Sequence, residues 1–197
     1  MKVIDVSAWQ ENIDWKAIKA AGIGGVIIKI GEGINLDSMF CDHVNNAVAN
    51  GLQYGIYYYG HAKDIDEARR EAYQVDQWLK IYLRGETPPL GIWYDAEDED
   101  MLQGEQNVVY PIANFIHELR SAGYTYVGVY SSYNWLTNII DLQPLAMDIP
   151  IWVAQYNTKN DFYFEHPDRI CRMWQYTDKE LVGKYELMKV DCNVYYD

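Results

Sequence analysis

No apolar run in this chain is long enough to cross a bilayer, and Met1-Lys2 leads straight into a strand-forming stretch. Neither a transmembrane helix nor a secretory leader is expected, so synthesis in the cytoplasm follows. Cysteine is scarce. Cys41, Cys171 and Cys192 are odd in number and show no CxxC spacing, which argues against a disulfide framework and a thiolate zinc site, and reduced, partly buried thiols are expected. His43, His61, His117 and His166 form no HExxH-type pair. No metal and no cofactor is expected. The largest deficit is positive charge. Sixteen Lys and Arg stand against 29 Asp and Glu, a net charge of −13, and the basic residues form no stripe. A nucleic-acid binder is excluded, and anionic membranes are disfavoured as partners.

What the chain does have is apolar and aromatic material. Hydrophobic residues make up 49% of 197, enough for one sizeable core, and no Gly/Ser linker or internal repeat divides the chain. A single domain over 1–197 is expected. Eighteen Tyr and seven Trp supply rings with polar edges. Such rings suit sugar faces, and they are equally ordinary core material. A neutral ligand held by stacking fits the charge better than an ionic one.

Strand and helix patterns alternate. Strand-forming runs occupy 2–7, 25–33, 54–60, 91–97 and 124–131. Between them lie a helix from an Asp14 cap to Gly22 and helices over 37–50, 66–83 and 106–122. Gly22, Gly51 and Gly123 close three of these helices just before the next strand. A short helix over 134–140 follows, then strands at 150–155, 171–176 and 187–195, with no helix of useful length in that final third. Alternation implies a parallel sheet, and eight strands permit closure. The expected fold is α/β: a compact, irregular TIM-like barrel of (β/α)5(β)3 type.

Chemistry concentrates at the end of the 91–97 strand. Pro88-Pro89 block a helix, Ile92-Trp93-Tyr94 suit a pleated surface, and Asp95 and Glu97 are two apart. On a strand they share one face, with Cα atoms about 6.6 Å apart. Two carboxyls at that range can cleave a glycosidic bond, one protonating the leaving oxygen and the other stabilising or capturing the sugar cation. The plain alternative is a solvated acidic loop, since Asp98, Glu99 and Asp100 follow.

A barrel would gather further residues at the C-terminal strand ends: Asp5, Glu32, Tyr57, Tyr59, Tyr130, Ser131, Trp152, Gln155, Trp174, Gln175, Tyr176, Asp191 and Asn193. For Ser131, Gln155 and Asn193 a bond to neighbouring backbone explains the residue at least as well as a ligand does. Asp5, Asp95, Glu97 and Asp191 together resist that explanation, because several like charges are costly to bury without a function. Glu32, Tyr57, Tyr59, Tyr130, Trp152, Gln155, Gln175 and Tyr176 are the candidate substrate contacts. Among these, Tyr57, Tyr59, Trp152 and Tyr176 are candidate sugar platforms, or else core.

These residues carry a resemblance. Asp5-Val6-Ser7-Ala8-Trp9-Gln10 with Ile13-Asp14-Trp15 resembles the opening of the family 25 glycoside hydrolases, the Chalaropsis-type lysozymes of fungi, bacteria and phage endolysins. The likeness continues in order through Lys29 to Gly33, Asp37 to Phe40, Tyr54 to Tyr58, Asp95-Ala96-Glu97, Ile151 to Tyr156, Trp174 to Thr177 and Val190 to Asn193. It spans nearly the whole chain. The resemblance implies a barrel that cleaves the β-1,4 bond between N-acetylmuramic acid and N-acetylglucosamine in bacterial peptidoglycan. Its catalytic carboxylates fall on Asp5, Asp95, Glu97 and Asp191. Glu97 is then the general acid and base. Asp95 orients the substrate's 2-acetamido group or acts as nucleophile, and both routes retain configuration. Two departures, Ile30-Gly31 before Glu32 and Cys192, bear on substrate preference and leave all four acids in place. Many relatives carry a wall-binding module, so such a module or subunit is an expected partner, and the missing leader leans toward a phage endolysin. The rival readings are a chitinase-like hydrolase, whose D-x-x-D-x-D-x-E pattern is absent, and a glycan-binding domain, which loss of an acid would favour. A metal-bound acidic cluster at 95–100 lacks a calcium loop's spacing.

Overall fold

The computed structural model describes residues 1–181 and 189–196. Its strands are β1 (Lys2–Val6), β2 (Gly25–Glu32), β3 (Asn35–Leu36), β4 (Gln53–Tyr59), β5 (Ile92–Asp95), β6 (Val127–Ser132), β7 (Pro150–Ala154), β8 (Ile170–Leu181) and β9 (Lys189–Tyr195). Its helices are α1 (Trp15–Ala20), α2 (Phe40–Ala49), α3 (Ile65–Leu83), α4 (Val109–Ser121), α5 (Tyr133–Asn138) and α6 (Asp161–Glu165), with a 3-10 turn over Glu99–Gln103. Asp14 caps α1 by accepting the Ala17 N–H at 2.9 Å, and Asp64 caps α3 through the Glu67 N–H at 2.8 Å. Gly22, Gly51 and Gly123 all have positive φ, the left-handed exit that lets the chain leave a helix.

The strands β1, β2, β4, β5, β6, β7 and β8 run parallel in that order. β9 slots between β8 and β1, antiparallel to both, and closes an eight-stranded barrel. The expected five βα units and three helix-poor strands are present. One detail is corrected: the last strand runs against the others, so Asp191 reaches the rim formed by the C-terminal ends of the parallel strands from the N-terminal part of its own strand.

Local differences have local causes. α2 starts at Phe40 rather than near 37, because the Asp37 carboxylate accepts the N–H groups of Ala8 (3.0 Å) and Met39 (2.9 Å). β3 folds back on β2 where no strand is expected. α4 starts at Val109, with Asn107 Oδ1 accepting the Val109 N–H at 3.0 Å and the Asp141 N–H at 3.2 Å. α6 is a one-turn helix in the polar segment, capped by Asn160. β8 runs on to Leu181, past the expected end at 176, and expected strand positions 187 and 188 lie outside the described residues.

Period-two alternation sorts the strands into two layers. Val26, Ile28 and Ile30 of β2 face the helices, as do Val127 and Val129 of β6 and Val190 and Cys192 of β9. The inward set, Val3, Ile27, Leu90, Trp93, Tyr130, Trp152 and Met173, fills the barrel. Two residues further along, the same inward face carries Asp5 above Val3 and Asp95 above Trp93. The barrel interior is therefore apolar below and acidic at the rim. Among the described residues no helix is long and apolar enough to cross a membrane.

Candidate active site

Asp5 of β1 and Asp191 of β9 are register partners. Asp5 is buried, and its Oδ2 accepts from Asn193 Nδ2 at 2.7 Å and Gln175 Nε2 at 3.1 Å. Those amides are themselves held. Asn193 Oδ1 accepts the Trp152 indole N–H at 2.8 Å, while Gln175 Oε1 accepts the hydroxyls of Tyr130 (3.0 Å) and Tyr156 (3.2 Å). Burial, then the charge of Asp191, pushes the Asp5 carboxyl up to about 8, against the lowering effect of the two amides. A hydrogen bond joins the Asp5 and Asp191 carboxyls, and both are raised, so the pair holds a proton between them.

Asp95, the last residue of β5, is 5% exposed. Its Oδ1 is buried and accepts no hydrogen bond from the described residues. Burial, then the charges of Glu97 and Asp5, holds its carboxyl well above the ordinary range, with Lys29 opposing. Glu97 lies beyond the end of β5 and opens to solvent, yet the surrounding walls and then Asp191 still raise it. Asp191 is raised by burial first and by Asp178. Among the described residues, Lys29 is the cation that acts on Asp95, and its Nζ is already bonded to Glu32 Oε2 at 2.5 Å. Four carboxylates with so little counter-charge cannot all ionise at neutral pH, and they must share protons.

This has a consequence for stability. The folded Asp5 carboxyl titrates near 8 and the unfolded one near 3.8, so between those values the folded chain binds more protons. Its contribution is fully present below the unfolded value and is lost as pH rises through the folded one. Stability should therefore fall from about pH 4 to about pH 8, and Asp5→Asn should flatten that slope. Urea midpoints at pH 5 and 8 for both proteins check this. Equal slopes would show that Asp5 keeps its ordinary value.

The remaining predicted residues divide. Tyr57 is half-buried on the inward face, bonded to Ser7, and its phenol is pushed up by burial and by Asp5 and Asp95. Tyr59 is half-buried beneath Lys29, whose Nζ lies 5.3 Å from the ring centre. Tyr130 is buried with its ring 4.4 Å from Trp152. Glu32 stands at the rim on Lys29. Trp152 is 2% exposed inside the barrel, hedged by Tyr57, Trp93 and Tyr130, so no face is open for a sugar. Gln155 uses both ends of its amide on Asp161, at 2.7 and 2.8 Å, and braces α6. Gln175 is consumed by Asp5 and the two tyrosines. Tyr176 is half-buried and packs outward, against the helix-facing core beside Trp174. Ser131 donates to the Ala96 carbonyl at 2.5 Å, and Asn193 orients Asp5, as a backbone-and-neighbour role anticipates.

Three nearby residues escaped sequence reasoning. Tyr156 reaches Gln175 and is pushed up by burial and then by Asp191. His61 is bonded to Asp98. Trp9 is 90% exposed on the turn after β1, although the Trp9 N–H donates to Ser7 Oγ at 3.3 Å and the Gln10 N–H to Ser7 O at 3.0 Å. An indole left open at this end of the barrel could have been suspected from its place four residues after Asp5. Among the described residues, no group of three or more His, Cys, Asp or Glu is arranged to hold a metal ion.

A closed barrel with a carboxylate cluster on its C-terminal rim, two of the acids in a D-x-E step, defines a barrel of the glycoside-hydrolase class. Within that class, the chain belongs to the glycosyl hydrolases family 25, whose model matches residues 4–184. It is 26% identical over 164 residues to the autolytic lysozyme of Clostridium acetobutylicum, covering 79% of this chain and 45% of that protein. Its fold matches the modular autolysin LytC of Streptococcus pneumoniae, solved with a synthetic peptidoglycan ligand, at TM-score 0.85 and 26% identity, over 99% of this chain and 46% of that one. It also matches the catalytic domain of endolysin ply40 from bacteriophage P40 of Listeria monocytogenes at TM-score 0.78 and 25% identity, over 100% of this chain and 93% of that one. The chain thus spans less than half the length of the clostridial and pneumococcal proteins.

Proposed function

We propose that residues 1–197 form one catalytic domain, an N-acetylmuramidase that cleaves the β-1,4 bond between N-acetylmuramic acid and N-acetylglucosamine in peptidoglycan, with retention. The observation that carries this reading is Asp95 Oδ1, a buried acceptor that receives no donor from the described residues, two positions before Glu97. A buried acceptor left unmatched costs about 1–3 kcal/mol, so a donor on the substrate would be favoured there. The N–H of a 2-acetamido sugar is such a donor.

The same contact would ready the acid. A hydrogen bond to ionised Asp95 favours that charged form, and the proton the pair shares then moves to Glu97. Glu97 gives it to the glycosidic oxygen as the bond to the anomeric carbon breaks. The acetamido oxygen attacks that carbon from the opposite face, and ionised Asp95 balances the charge on the resulting ring. Glu97, now a carboxylate, takes a proton from water as the water opens the intermediate, and configuration is retained. Direct attack by Asp95 would give the same stereochemistry.

Asp5, Asp191, Gln175 and Asn193 would hold the acid pair, with Trp152 and Gln155 as braces behind them. Tyr57, Tyr59, Tyr130, Glu32 and Trp9 are the proposed sugar contacts at the rim. The net charge of −13 offers no attraction to anionic wall polymers, which supports a separate wall-binding module or subunit as partner. The likeness to a phage endolysin domain supports an endolysin-type role at the bacterial wall.

Digestion of purified peptidoglycan, borohydride reduction and mass spectrometry test the reading. Reduced muramic acid ends are expected. Reduced glucosamine ends would make the protein a glucosaminidase. No new ends on several wall chemistries would favour the glycan-binding alternative.

A further inference from the structure

Glu97 lies outside regular structure, and among the described residues no hydrogen bond or ion pair fixes its carboxylate. Something else must aim it. The residue before it is tied on both sides: the Ala96 N–H donates to the Tyr130 carbonyl at 2.9 Å, and its own carbonyl accepts from Ser131. The residue after it, Asp98, is tied too. Its Oδ1 accepts the Asp100 N–H at 3.0 Å and opens the 3-10 turn, while its Oδ2 is bonded to His61 Nδ1. Although partial burial pushes the other way, His61 and the Asp100 N–H hold the Asp98 carboxyl below its ordinary range.

His61 is itself anchored to the strand that carries the acids. The His61 N–H donates to Glu71 Oε1 at 2.8 Å, and Glu71 Oε2 accepts the Tyr94 hydroxyl at 2.7 Å. Tyr94 immediately precedes Asp95. Gly60 makes this possible: a Cβ there would lie 2.1 Å from the Tyr94 ring. The Tyr59 ring meets His61 edge-on at 5.0 Å and restricts it further. The contacts close a loop from Tyr94 through Glu71 and His61 to Asp98, and Glu97 stands inside it.

We propose that His61 is a positioning residue for Glu97, aiming the general acid at the glycosidic oxygen through its bond to Asp98. The inference rests on the muramidase reading. His61 touches no substrate in this role, so substrate affinity should not depend on it. Misplacing a reacting group by about 1 Å can cost on the order of a hundredfold in rate.

The test is a kinetic cycle on soluble peptidoglycan fragments. His61→Ala is expected to lower kcat about tenfold or more with KM within about twofold. His61→Gln, which can still donate to Asp98, is expected to recover most of that loss. In an Asp98→Ala background His61→Ala should change kcat less than about twofold, because its route is already cut. Should Asp98→Ala fail to fold, Asp98→Asn with His61→Ala completes the cycle. Unchanged kcat in His61→Ala overturns the proposal. So does equal damage from Ala and Gln at equal Tm, or full additivity with Asp98→Ala. An inactive wild type would overturn the muramidase reading itself, and this inference with it.

Discussion

Glu97→Gln is expected to reduce turnover on peptidoglycan about a thousandfold while Tm stays nearly unchanged. The substitution keeps the shape of the side chain and removes the proton it would deliver. Glu97 sits open at the rim and fixes no other group among the described residues, so the fold loses little. The activity loss should fall on kcat with KM nearly constant, the pattern of an interaction made only in the transition state. Initial rates of reducing-end formation, with thermal unfolding in parallel, measure both. Near-normal turnover in Glu97→Gln beside a dead Asp95→Asn would reverse the two roles.

Asp95→Asn is the second large effect, and its signature is a split between activity and stability. Turnover should fall about a hundredfold or more, because charge on the reacting sugar loses its buried partner. Stability should not fall, and should rise at alkaline pH. Asp95 is buried beside Glu97 and Asp5, and both charges act against its ionisation. Ionising it in the free protein is unfavourable, so removing its charge relieves repulsion. Tm at pH 7 and pH 9, with kcat at pH 7, distinguishes the cases. A variant that loses Tm and activity together would mark Asp95 as a structural carboxyl.

The local elements were legible for local reasons. Asp14, Gly22, Gly51 and Gly123 mark helix ends because a cap or a left-handed exit depends only on a residue and its near neighbours. The apolar run Val26-Ile27-Ile28 announces a strand covered on both faces, and alternation of strands with helices announces a parallel barrel. The boundaries that slipped were those settled by distant partners. Asp37 delays α2 because its carboxylate is bonded to Ala8, 29 residues away. The 33–36 hairpin was invisible, since two residues carry no periodic signal.

The site divides along the same line. The D-x-E step is readable as two acids closing a strand-forming run, but β5 ends at Asp95 and Glu97 lies beyond it, so the expected shared strand face does not place Glu97. Whether an aromatic or amide near it meets a sugar or a neighbour is not a local property. Trp152 and Gln175 carry the residue types of a sugar site, and the barrel turns both inward, onto Asn193 and Asp5. His61 carried no such signal in the sequence, and the structure puts it beside Asp98, while it leaves Trp9 open to solvent.

By itself, then, the sequence determined the main strands and helices, their order and the presence of four suitable acids. Those follow from backbone propensity and side-chain period, which act over a few residues. The tertiary structure alone decided that β9 runs antiparallel and sets Asp191 beside Asp5, and that Asp95 keeps an unmatched oxygen. It also decided that Lys29 is spent on Glu32. Those outcomes depend on barrel closure and register between residues far apart in the chain, where burial and like charge change each carboxyl's affinity for its proton.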